Sequence, residues 1–347
     1  MQPKAAVHMA AFDDTTGSVA VDKPSLDMKD GVAAITYIQV LGNNPGVYIT
    51  SSDQANNYEN WLAPAMLSFN FSGDTFQNPI VKLFDRFNGY VSVIRRAQGG
   101  APRVYDVQVA RISRQSINAP WAITSFALIL RFRDAARTAP GGPLNNPRDW
   151  RDRIPMSFAV GGASGRHLFV ADKNTNISGV SNVELFDCED TPPFFGEPPA
   201  CRIDSNSNPV NWRGQTLGGV TNRYQPNVTA SPGSDEVAVT WYQQFSNTSS
   251  SFLFFAGLRS HNNAGNWAAP LLNARPAQVP CPDPSSDGEG AHYWGDYTAS
   301  FILPFPYTNS SGDRRIVSAR ADSGGGCFDV VSDPDITFDQ HVQATAW

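Results

Sequence analysis

Short runs of alternating apolar and polar residues, separated by Gly, Pro, Asn and Asp, cover most of the chain. Gly31–Tyr37 is followed by Gly46–Ser51, Gly89–Ile94 by Val104–Ala110, Arg166–Ala171 by Val180–Phe186, and Glu236–Trp241 by Ser251–Leu258. β-branched and aromatic residues dominate these runs, and the repeat is two residues, the signature of half-buried strands. Helical spacing is almost absent; the best candidate, Asn146–Arg151, is short and charged. Each unit therefore reads as strand, turn, strand, longer loop, strand.

Four units open on a proline: Lys23-Pro24, Asn78-Pro79, Ile154-Pro155 and Gln225-Pro226, at intervals of 55, 76 and 71 residues. Proline suits the first residue of a strand, where a missing N–H breaks no ladder bond. A fifth unit begins near Tyr293–Thr298, continues through Arg315–Arg320 and ends in His341–Trp347. Ala5–Phe12 is a further apolar strand with no partner of its own. The pattern predicts an all-β fold, a β-propeller of four-stranded antiparallel blades forming one domain over residues 1–347. Residues 1–20 would supply a strand that closes the ring, and closure removes exposed sheet edges. A β-sandwich pair or a β-helix is the competing arrangement, although units this long exceed the coils of a β-helix.

Composition narrows the function classes. Gly (28) and Pro (26) are plentiful and scattered, as many turns require. The net charge is −6 with no run of Lys or Arg, which removes the electrostatic basis for binding nucleic acid. No apolar stretch approaches the length of a membrane-spanning helix. Cys188, Cys201, Cys281 and Cys327 show no C-x-x-C spacing, so a zinc ribbon or a thioredoxin-like pair is disfavoured. Disulfides are expected, with 188–201 and 281–327 the simplest of three connectivities. N-x-S/T sequons begin at Asn70, Asn176, Asn227, Asn247 and Asn309. These features point to an extracellular or cell-surface protein, although Met-Gln-Pro-Lys at the start is not a secretory signal.

Two turns carry a family likeness. Ser51-Ser52-Asp53-Gln54-Ala55-Asn56-Asn57-Tyr58 and Ser260-His261-Asn262-Asn263-Ala264-Gly265-Asn266-Trp267 fit S-x-D-x-G-x-T-W in degraded form, and both lead to Ala-Pro. Arg111-Ile112-Ser113 with Ala119-Pro120 is a more eroded copy. On these residues the chain resembles the sialidase-like (Asp-box, or BNR) β-propellers over about residues 20–347. The resemblance implies six blades, of which five are legible. The motif is structural, and many such relatives bind rather than catalyse. Sialidases clamp a substrate carboxylate with three arginines and use a Tyr/Glu nucleophile pair and an Asp acid. Arg153-Ile154-Pro155 matches the family's first arginine motif, but two units precede it where none should.

The sharpest local signal is Trp294-Gly295-Asp296-Tyr297 at the start of the fifth unit. Asp296, Tyr297, Glu289 and Arg153 are the catalytic candidates. Arg223, Tyr224, Trp294 and His292 are the ligand-binding candidates. Asp283, Ser285 and Asp287 alternate oxygen donors before a glycine, like the start of a calcium loop, but Trp294 stands where a bidentate Glu would complete it. No cofactor is required. The expected function is recognition of an extracellular glycan or glycoprotein at one face of the propeller; the alternative is an exo-acting glycoside hydrolase.

Overall fold

A computed structural model describes residues 21–39, 46–69, 75–96, 104–133, 156–175, 181–191, 200–203, 209–217, 222–231, 233–244, 252–267, 272–278, 299–303, 306–308, 312–322 and 341–346. The fold is all-β, a β-propeller built of antiparallel blades. The described residues contain one turn of 3-10 helix, Gln54–Asn56. The first blade is β1 (Val21–Lys29), β2 (Val32–Gln39), β3 (Gly46–Asp53) and β4 (Ala65–Leu67); the second is β5 (Thr75–Leu83), β6 (Asn88–Arg96), β7 (Val104–Ser113) and β8 (Ala122–Arg133). The third contains β9 (Met156–Gly161), β10 (His167–Thr175) and β11 (Ser181–Glu189). A small hairpin of β12 (Arg202–Ile203) and β13 (Pro209–Val210) intervenes before its outer strand, β14 (Arg213–Leu217). The fourth is β15 (Asn222–Ala230), β16 (Val237–Gln244), β17 (Phe252–Ser260) and β18 (Leu272–Gln278). The fifth has three described strands, β19 (Ala299–Ile302), β20 (Ile316–Asp322) and β21 (His341–Ala346). These sheets are the five units legible in the sequence. A sixth is not among the described residues, and residues 1–20 and the helix candidate Asn146–Arg151 lie outside them.

The chain divides into two compact units, Met1–Phe132 with Thr191–Asn211, and Arg133–Asp190 with Trp212–Trp347. In the first, Val32, Ala34, Ile38, Val47 and Ile49 pack against Val81, Val91, Val93, Ala110 and Ile112, and Trp121 is buried at the same core. In the second, Phe169, Ala171, Val183 and Leu185 meet Val228, Val237, Val239 and Trp241. Each of the Val, Leu, Ile and Phe side chains contributes about 1.5–3 kcal/mol when fully buried. Alternate residues of β2 (Val32, Ala34, Ile38), β6 (Val91, Val93) and β16 (Val237, Val239, Trp241) enter these cores, which is why the period-2 pattern is legible there.

Blades within each unit are also tied by hydroxyl groups. Thr36 Oγ1 donates to Pro79 O at 3.3 Å. Ser157 Oγ accepts from Val228 N at 3.0 Å. Thr240 Oγ1 lies 3.0 Å from Ser300 Oγ, which in turn lies 2.8 Å from Ser318 Oγ. Asp30-Gly31 closes β1 to β2 with both residues at positive φ (48° and 75°), the geometry that a two-residue hairpin of this kind requires. Cys188 and Cys201 are both buried and each is disulfide-bonded, in keeping with the expectation of disulfides.

The prolines correct one expectation. They do not begin their strands. Lys23-Pro24 together oppose Tyr37, Asn78-Pro79 oppose Val93, and Gln225-Pro226 oppose Trp241. Each pair is a β-bulge inside a first strand, where proline's missing N–H is equally harmless. Ile154-Pro155 lies outside the described residues.

Candidate functional site

Each described blade has two ends. First strands begin and second strands finish at one end; first strands finish and third strands finish near the other. The second end is held by compensated charge. In the second unit the Asp187 carboxylate, at the end of β11, accepts from Arg213 Nε at 2.9 Å and Arg213 Nη2 at 3.0 Å. His167 Nε2 lies 3.0 Å from Asp187 Oδ2, and its ring stacks on Phe169 with centroids 4.6 Å apart. Arg213 Nη2 also donates to Asn263 O and Gln215 Nε2 to Ala264 O, so β14 grips the turn that follows β17. Within that turn Asn262 Oδ1 accepts from Asn266 N at 2.7 Å, and Trp267 Nε1 donates to Gln215 Oε1 at 3.0 Å.

At the same end of the fourth blade, the buried Arg259 pairs with Glu236 (3.3 Å) and Asp313 (3.6 Å). Burial lowers the Arg259 pKa, and the two carboxylates oppose that shift. In the first unit Arg114 donates to Ser51 Oγ and Arg86 O and stacks 4.7 Å from the Trp121 ring. These networks join elements far apart in sequence, and only their members in the Ser51–Tyr58 and Ser260–Trp267 turns belong to a motif.

Arg223 stands at the opposite end, near the start of β15, paired with Gln243 of β16. Its guanidinium lies 4.6 Å from the Trp241 ring centroid, and its Nη1 donates to Leu217 O. Trp241 Nε1 donates to Gln243 Oε1 at 3.1 Å. Arg223 Nε is buried without a hydrogen-bond partner. Burial alone lowers its pKa; among the described residues no carboxylate acts to raise it. The contrast with Arg213 and Arg259 is chemical: those cations are neutralised by the fold, and this one is held by an aromatic face and a carbonyl.

Among the sequence candidates, the backbone of Tyr224 is also placed, opposite Tyr242. Arg153, Asp283, Ser285, Asp287, Glu289, His292, Trp294, Asp296 and Tyr297 lie outside the described residues. Trp121 is a packing residue, and Trp61 caps its own turn through Nε1 to Tyr58 O. Among the described residues no cluster of three metal-ligating side chains occurs, and no helix is long and apolar enough to cross a membrane.

No family model matches the chain. No curated protein matches it. Solved structures similar to it include an N-acetylgalactosamine deacetylase from F. plautii in complex with blood group B trisaccharide, at 14% identity and a TM-score of 0.42, covering 99% of this chain and 92% of that one. An exo-1,5-alpha-L-arabinanase from a bovine ruminal metagenomic library shares 10% identity at a TM-score of 0.38, covering 87% and 88%. A GH43 beta-xylosidase/alpha-arabinofuranosidase from a compost microbial metagenome shares 11% identity at a TM-score of 0.39, covering 94% and 91%.

Proposed function

We propose that the protein is a glycan-recognising β-propeller whose ligand lies at the end of the blades where first strands begin. Arg223 is the observation that supports this reading. A cation held against a buried indole and lacking a carboxylate counter-ion among the described residues offers guanidinium donors to a ligand. Sugar hydroxyls and acidic substituents accept hydrogen bonds from such donors. Tyr224, His292 and Trp294 complete the ligand-binding set in this reading. The reading takes residues 1–347 as one propeller domain of the sialidase-like kind, working outside the cell or at its surface on a glycan or glycoprotein. No cofactor is needed, and Asp283, Ser285 and Asp287 would hold a structural calcium ion.

A second reading is exo-acting glycoside hydrolysis. The observation in its favour is the position of Asp296 and Tyr297, which immediately precede the first strand β19 just as Arg223 stands at the start of β15. In that reading Tyr297 is the nucleophile, Glu289 its base, Asp296 the acid and Arg153 a substrate anchor.

The test combines calorimetric binding to a panel of neutral and acidic oligosaccharides with release from chromogenic glycosides. The proposal expects binding of at least one class, weakened about tenfold by Arg223→Ala, the scale of one charged contact. Absence of binding across the panel, or an unchanged affinity in Arg223→Ala, overturns it. Turnover that disappears in Asp296→Asn and Tyr297→Phe selects the hydrolase reading.

A further inference from the structure

Three first strands carry the same irregularity at the same register. In β1, Asp22 pairs with Ile38 and Ser25 with Thr36. In β5, Gln77 pairs with Ile94 and Ile80 with Ser92. In β15, Tyr224 pairs with Tyr242 and Asn227 with Thr240. In each, two residues of the first strand, the second of them proline, face one residue of the second strand. Lys23 and Asn78 have φ of 55° and 52°, a left-handed conformation that is uncommon for non-glycine residues. Strained backbone of this kind persists only where the surrounding structure enforces it, and it gathers at functional sites.

A bulge inverts the alternation of every residue before it. The consequence is concrete in β15. Without the bulge, continued pairing from Asn227 and Thr240 would set position 224 on the face of Trp241. With it, Arg223 takes that face and stacks on the indole.

We propose that the Gln225-Pro226 bulge is a specificity-determining device, a positioning element that selects residue 223 rather than 224 as the ligand contact beside Trp241. The inference rests on the glycan-recognition reading and adds to it the backbone feature that chooses the contacting side chain. Gln225 and Pro226 touch no ligand in this account; they act through Arg223.

The experiment uses the full chain and the oligosaccharide of the panel that binds it best. Three variants are compared: insertion of one Ala between Tyr224 and Gln225, which sets Tyr224 opposite Gln243 as an unbulged strand would, the exchange Arg223→Tyr with Tyr224→Arg, and the insertion combined with the exchange. Near-UV circular dichroism and thermal melting report folding for each. The insertion and the exchange should each weaken binding about tenfold or more, and the combination should restore it to within about threefold of the parent. A structural role alone predicts no such rescue. A folded insertion that binds like the parent, or a folded combination that fails to recover, overturns the inference while leaving the glycan reading in place. Should the insertion fail to fold, the exchange alone decides, since undiminished binding there overturns the inference. A parent chain that binds nothing in the panel overturns both.

Discussion

Asp187 and Arg213 form a two-point ion pair, with Nε and Nη2 each about one hydrogen-bond length (2.9 and 3.0 Å) from separate carboxylate oxygens. Asp187 is nearly buried while Arg213 is half exposed, so the pair is only partly screened by water. His167 and Gln215 use the same carboxylate. Asp187→Ala therefore strands several donors and should lower unfolding free energy by about 2–3 kcal/mol, the range for hydrogen bonds to charged groups. Chemical denaturation measures this. Glycan affinity of the folded variant should be unchanged, since the pair stands at the opposite end of its blade from Arg223.

Asp27 of β1 gives a pH-dependent prediction. Burial raises its pKa above 3.8, and Lys82 and the Leu83 N–H only partly offset this. A raised carboxyl pKa means that the folded state holds the proton more tightly. The stabilising contribution is thus complete at pH below 3.8 and is lost as pH rises through the folded value. Asp27→Asn, which still accepts from Leu83 N, should be more stable than the parent at neutral pH. The difference should vanish as pH falls below the unfolded carboxyl value. Thermal melts of both proteins between acid and neutral pH read this directly, and a gap that widens toward acid contradicts it.

The sequon at Asn227 should remain unmodified. Asn227 pairs with Thr240 inside β15, and Val228 and Thr229 are 4% and 8% exposed. A folded strand in that position offers no access to a glycosyl transfer enzyme. Peptide mass spectrometry after expression in a secreting eukaryotic host would detect occupancy, and a glycan at Asn227 on folded protein would refute the placement.

The strands were legible because burial follows the two-residue repeat: Gly31–Tyr37 became β2 and Glu236–Trp241 became β16, each within a few residues. The bulges were not legible. A proline at the head of a strand and one inside a bulge satisfy the same rule, and only the partner strand's register separates them. The charge networks were hidden for a different reason. Arg213 and Asp187 stand 26 residues apart, and Glu236 is met by Arg259 of β17 and by Arg314, which precedes β20. Arg223 was found because it opens a unit. The cluster from Asp283 to Tyr297 was also found by sequence, but its geometry lies outside the described residues.

Indole N–H resonances locate the ligand most directly. Trp241 and Trp121 each stack with an arginine, Trp241 where the first strand begins and Trp121 beyond the end of β7. Titration with a bound oligosaccharide should shift the Trp241 signal and leave Trp121 in place. A shifted Trp121 beside a stationary Trp241 would contradict the account.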